Sequence, residues 1–194
     1  MADDARDTAA VLVGESVASV GRLLDGPLLD ALAASAEAVA DALMAGGRAL
    51  ALGNGGSAAE AGHLVAELVG RCTTDRRPLP AIALSEGGPS LTALANDYGY
   101  DEVFARQVQA HARPGDVVVA LSTSGRSRNV LRALDAARVA GATTVGLSGP
   151  DGGEMGPLCD HLLRAPATGA PRIQECHQVW VHVIAEWVEQ RVLV

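Results

Sequence analysis

Residues 117–127 read Val-Val-Val-Ala-Leu-Ser-Thr-Ser-Gly-Arg-Ser, and the fold class follows from how this stretch is made. An unbroken apolar run rich in β-branched residues describes a strand buried on both faces rather than one with a wet side. The Ser/Thr/Gly run that ends it opens a helix-length segment, 127–140. The same unit recurs on either side. Ala49–Leu52 runs into Gly53-Asn54-Gly55-Gly56 and a helical segment 57–69. Ala81–Leu84 runs into Ser85-Glu86-Gly87-Gly88 and a segment 91–111 that reads as one helix or two. Thr143–Leu147 ends in Ser148-Gly149, and His161–Ala165 is a weaker fifth strand before a helix from Pro171 onward. Short apolar strands alternating with helices predict an α/β fold, a five-stranded parallel sheet flanked by helices. Sheets of this kind take their ligands at the carboxyl ends of the strands, where every glycine- or serine-rich stretch falls. Residues 8–45 carry a helical period divided at Gly21 and Gly26-Pro27 and have no strand partner. They are expected to pack on the domain or on another subunit.

Composition narrows the function. The chain has 194 residues, enough for one domain, and is 48% hydrophobic but 3% aromatic, so Ala, Val and Leu must fill the core. With 23 acidic and 15 basic residues and no basic run, the net charge of −8 argues against a nucleic-acid partner, which needs a cationic face. An anionic ligand must instead meet backbone N–H groups, hydroxyls and a few local arginines. Three cysteines, Cys72, Cys159 and Cys176, without a C-x-x-C pair point away from a disulfide framework and towards a reducing compartment. The acidic start lacks a signal-peptide core, and no uncharged apolar run is long enough to span a bilayer. The expectation is a soluble cytoplasmic protein with no membrane partner.

Ser122-Thr123-Ser124-Gly125-Arg126-Ser127 places four hydroxyls and a glycine at a helix start, where free N–H groups attract anions. One serine there would read as an ordinary cap; four after a buried strand read as a phosphate site. Gly53–Ala58 fits G-x-G-x-x-A, but a dinucleotide site also wants an acid about twenty residues on, at the end of the second strand. Asp75 has the distance without the place, and Glu86 the place without the distance. The loop is therefore read as close backbone approach to a sugar phosphate, with no nucleotide cofactor. His63 and Glu67, four apart, share a helix face. On the last helix Gln174 and His182 fall on roughly one side with Gln178 between them, while Glu175 and His177 are expected to be solvated or interfacial.

Taken together, Gly53–Ala58 with His63 and Glu67, Asn96-Asp97, Ser122–Gly125 with Ser127, and Arg172-Ile173-Gln174-Glu175 with His182 closely resemble the phosphoheptose isomerases of the sugar-isomerase (SIS) fold. The resemblance runs over essentially the whole chain. It implies a single SIS domain over residues 1–194, in which 1–45 form a helical segment packing between subunits, and a homotetramer with sites at subunit interfaces. It implies that Glu67 moves the carbon-bound proton of an enediol reaction and that His182 is the acid on the other side. Asn54, Gly55, Gly56, Ser57, Asn96, Asp97 and Gln174 would then hold the sugar, and Ser122, Thr123, Ser124 and Ser127 its phosphate. It further implies a zinc site at His63, Glu67, Gln174 and His182, a donor set in which the amide is the less usual member. Non-catalytic adaptors that bind the bacterial replication initiator share the loops, and Glu67 and His182 are the positions that favour the enzyme over them. Two positions depart from the family pattern: Ala170-Pro171, where an acid is usual, and Arg126, where Asn is common.

Overall fold

The computed structural model describes residues 2–193, with side chains from Asp4. Helices α1 (Ala2–Gly21) and α2 (Gly26–Met44) are separated by a short 3-10 turn, Arg22–Leu24. Pro27 lies in the first turn of α2, where its missing N–H leaves no bond unmade. Then come β1 (Ala49–Gly53), α3 (Gly56–Val69), β2 (Ala81–Ala83), α4 (Gly88–Tyr98), α5 (Ala105–His111) and β3 (Val117–Ser122). The chain ends with α6 (Arg128–Val139), β4 (Thr143–Ser148), β5 (His161–Arg164) and α7 (Ala170–Leu193).

All strand pairs are parallel, in the order β2-β1-β3-β4-β5. Ala49 lies beside Val117 and Val117 beside Thr143. Because both faces are covered, the odd and even residues of each strand feed different cores. Ala49, Ala51, Val117, Val119 and Leu121 pack with α2, α3 and α7. Leu50, Leu52, Val118 and Ala120 pack with α5 and α6 through Phe104, Val108, Val130 and Leu134. The central strands β1 and β3 are buried at every residue, whereas the edge strand β2 is partly open and one residue shorter than its apolar run. The segment 91–111 is two helices, broken at Gly99 and a 3-10 turn, Tyr100–Glu102.

The N-terminal helices behave differently from each other. α2 sends Leu32, Ser35, Ala36, Val39, Ala40, Ala42 and Leu43 into this chain's own core. It is also clasped from α7 by Arg191 on Glu37 and Asp41. α1 leaves Val11, Leu12, Val13 and Val17 exposed and is tied down at its middle, by Arg172 donating to the Leu12 carbonyl. No helix among the described residues is long and apolar enough to cross a membrane.

Candidate active site

The chain leaves β1 for one edge, β2, and returns to β3 on the other side. The carboxyl ends of β1 and β3 therefore open a crevice where the connections diverge. The loop after β1 and the loop after β3 meet there. Gly55 sits at φ +55°, a backbone shape that side-chain-bearing residues rarely adopt, and so turns the chain sharply into α3. At Gly56 a Cβ would stand 2.3 Å from the Gln174 carboxamide, so a larger residue there would push that amide aside. Asn54, Ser57, Ser122, Thr123, Ser127 and Gln174 line a cavity of about 90 Å³. Ser122 and Ser127 hydroxyls stand 3.1 Å apart. The Arg126 N–H donates to Ser124 Oγ at 3.2 Å. The pocket is built of hydroxyls and helix-start N–H groups, the donors a phosphate dianion takes.

The loops are braced from outside. Asn54 and Asn129 exchange two amide hydrogen bonds, of 2.9 and 2.8 Å, and the Tyr100 hydroxyl donates to Asn54 Oδ1 at 3.0 Å. The Asn54 side chain is thereby occupied in holding the loop. Asn129 and Tyr100 carry no signal in the sequence, since each acts across 46 residues or more.

The second half of the site lies between α3 and α7. His63 Nε2 stands 3.0 Å from Glu67 Oε1 and 3.2 Å from His182 Nε2, and the two imidazoles meet edge to face at 4.9 Å. Ligand atoms of His63, Glu67 and His182 lie within 4.8 Å of one another, and two imidazoles with a carboxylate form a donor set that suits zinc. Behind them, burial and then the neighbouring Glu67 carboxylate push the Cys72 thiol up to about 11. The Arg76 guanidinium donates to the Glu67, Leu68 and Gly70 carbonyls and so caps the last turn of α3. Arg76 in turn stands 3.7 Å from Glu189, a buried carboxylate of α7 that accepts from the N–H groups of Cys72, Thr73 and Thr74 and from the Thr73 hydroxyl. Burial would raise its pKa, but the Thr73 hydroxyl and the three N–H groups outweigh it and hold Glu189 down at about 2.

The SIS domain family model matches residues 16–149. The phosphoheptose isomerase of Rhodospirillum rubrum is 51% identical over 164 residues, 84% of this chain and 87% of that one. The chain belongs to the phosphoheptose isomerases. The phosphoheptose isomerase of Burkholderia pseudomallei is 45% identical over 93% of this chain and 94% of its own. Among solved structures, the phosphoheptose isomerase GmhA of Neisseria gonorrhoeae superposes with a TM-score of 0.89 at 37% identity, covering 95% of this chain and 98% of its own. That of Francisella tularensis gives 0.91 at 32% identity, over 96% and 98%. Membership gives the chain the SIS fold and its reaction class, that of a sugar-phosphate isomerase, which decides between the enzyme and the adaptor.

Against that membership the structure distributes the sequence-derived residues unevenly. Ser57, Ser122, Thr123 and Ser127 converge on the pocket; His63, Glu67 and His182 converge on the cluster. Gln174 lies with the hydroxyl pocket and the Gly56 turn, and the amide that reaches the two imidazoles is that of Gln178, one helical turn later. Asn96 and Asp97 are exposed on the last turn of α4, where Asn96 donates to Asp97 at 2.8 Å, and they are not among the residues lining the pocket. Arg126 turns outward to Asp151 at 2.7 Å, so its charge serves that exposed pair rather than the cavity. His177 corrects its expectation. It is fully buried, its Nε2 is 3.1 Å from the Ser148 carbonyl at the end of β4, and its ring stacks on Trp180. The helical wheel had no way to show that β4 ends against that face of α7.

Proposed function

We propose that the chain interconverts sedoheptulose 7-phosphate and D-glycero-D-manno-heptose 7-phosphate through an enediol. The observation that carries this reading is the placing of the His63–Glu67–His182 cluster and the hydroxyl pocket along one helix, α7, which sends Gln174 to the pocket and His182 to the cluster. Moving a proton between C1 and C2 needs a base at carbon and an acid at oxygen, and no redox cofactor. Glu67 takes the carbon-bound proton; His182, on the facing helix, serves the oxygens, and an imidazole is suited to both giving and taking protons near neutrality. Ser122, Thr123, Ser124 and Ser127 hold the phosphate, with the N–H groups at Gly55 and Gly56 and the Gln174 amide on the sugar hydroxyls. Asn96 and Asp97 contact the substrate chain where a second subunit or the substrate itself brings them in. His63, Glu67 and His182 would hold a zinc ion, with the Gln174 amide as the further ligand of the set. Such an ion supplies a Lewis acid for the substrate oxygens.

The quaternary part of this reading is a homotetramer with sites at subunit interfaces, in the cytoplasm. It is supported by the exposed apolar row of α1 and by a groove between α2 and α7 walled by Leu29, Leu32, Val183 and Trp187. Because α2 is committed to this chain's core, α1 is the segment free to join copies. Removing residues 1–20 is expected to lower the mass in light scattering to that of a smaller assembly while the sheet domain stays folded. The reaction itself is tested by incubating purified protein with sedoheptulose 7-phosphate and following the product by NMR. Absence of the aldose product would refute the substrate.

A further inference from the structure

Gln178 has no part in the reading above, yet its amide lies against both imidazoles of the cluster. Its Nε2 stands 3.3 Å from His63 Nδ1 and 3.3 Å from His182 Nε2. An amide nitrogen has two N–H donors, so one goes to each ring, and each of those ring nitrogens must accept. A neutral imidazole has one donor and one acceptor nitrogen, so with the carboxamide in this orientation both tautomers follow. His63 then carries its proton on Nε2, the nitrogen 3.0 Å from Glu67 Oε1 and 3.2 Å from His182 Nε2. His182 carries its own on Nδ1 and turns a lone pair into the cluster. The His63 Nε2–H is then shared between Glu67 Oε1 and His182 Nε2, and the one lone pair of His182 Nε2 between His63 and Gln178.

This arrangement suits hydrogen bonding, but it does not suit a metal on His63 Nε2. Giving that lone pair to a metal moves the ring proton to Nδ1, where it meets an N–H of Gln178, donor against donor. Turning the carboxamide over removes the conflict at His63, because its carbonyl then accepts from His63 Nδ1–H, while the His182 Nε2 lone pair that the carbonyl also faces would be given to the metal. A histidine bound to a metal characteristically donates its other N–H to such an acceptor. We propose that Gln178 is a positioning residue whose amide orientation selects the tautomer of His63. The N–H face keeps His63 as hydrogen-bond donor to Glu67, and the C=O face readies its Nε2 for a metal. The inference rests on reading the cluster as the proton-transfer and metal centre. It is set by chain spacing, since Gln178 lies one turn before His182 and so shares its face of α7.

The test uses full-length protein with 15N-labelled histidine, in which two-bond 1H–15N correlations report each ring's tautomer and a His63→Asn spectrum assigns the resonance. Metal-free wild type is expected to show His63 with its proton on Nε2, changing to Nδ1 when zinc is added. In Gln178→Leu the metal-free ring should show a mixture of tautomers, and chelator competition should give a zinc dissociation constant raised about 10–100-fold. In Gln178→Glu, which offers only acceptors, the proton should lie on Nδ1 before any zinc is present. An unchanged His63 tautomer in both variants overturns the proposal. A wild type that takes up no zinc overturns the metal reading of the site and the metal half of this proposal; the metal-free spectra still judge the tautomer half.

Discussion

The two halves of the site are built by opposite means. The hydroxyl pocket comes from two loops, each contiguous in sequence and closed over by Gln174 of α7, and relies mainly on backbone shape: a turn at Gly55, a close approach at Gly56, and hydroxyls at a helix start. The histidine cluster comes from two helices more than a hundred residues apart in sequence and relies on side chains meeting across a helix pair. Backbone sites are preformed and bind an anion whether or not a reaction follows. Side-chain clusters owe their function to placement, and a small displacement affects rate before it affects binding.

The sharpest way to break this contrast is to disable one half and read both kinetic constants. Glu67→Gln and His182→Gln are each expected to lower kcat by about 10²–10⁴-fold with KM little changed, since a positioned acid or base is worth that much. Equal losses in kcat and KM would show that the halves are not separable. In the pocket, if the proposed phosphate seat holds, Ser122→Ala or Ser127→Ala would remove a hydrogen bond to a charged ligand, about 1.5–3 kcal/mol or about 10–100-fold in kcat/KM. That loss should lie mainly in KM in steady-state assays. A control outside both halves is Arg126→Ala. Its partner Asp151 is exposed and the pair is screened by solvent, so thermal stability should be nearly unchanged and KM should change by less than about twofold.

The buried tie between α7 and α3 sharpens the contrast through pH. Glu189 is held down at about 2, with burial opposing and the Thr73 hydroxyl and three N–H groups prevailing. Its pKa in the unfolded chain is the ordinary one, about 4.3. A carboxylate depressed on folding contributes stability that is complete above the unfolded value and is lost as pH falls through the folded one. Thermal unfolding of the wild type should therefore weaken steadily from about pH 4.5 to about pH 2. Glu189→Gln should flatten that slope, and Glu189→Ala should cost about 3–5 kcal/mol at neutral pH by leaving Arg76 and the N–H groups unpaired. A slope unchanged in Glu189→Gln would show that other carboxylates set the acid limit.

The division also explains what could be read without a structure. The five strands and the serine and glycine loops are local patterns, visible because a doubly covered strand is apolar throughout and a strand-end loop is small and polar. His63 with Glu67 was visible because four residues make one helical turn. What stayed hidden acts at a distance: Asn129 on Asn54 across 75 residues, Tyr100 on Asn54 across 46, and Gln178 on His63 across 115. His177 was misplaced for the same reason, as its burial depends on where β4 ends, 29 residues earlier. The helical period of residues 8–45 could not separate α2, which fills this chain's core, from α1, which does not.

The last helix links the two halves in a further sense. Gln174 and His182 are eight residues apart on α7, and a helix climbs 1.5 Å per residue, so the two side chains are rooted about 12 Å apart along a stiff rod. Such a rod is a length gauge. In the proposed reaction, a sugar phosphate seated by its phosphate would present its carbonyl to Glu67 and His182 only if its carbon chain reached that far. Shorter sugars would be turned away by falling short rather than by collision, and selection would then appear in turnover more than in occupancy.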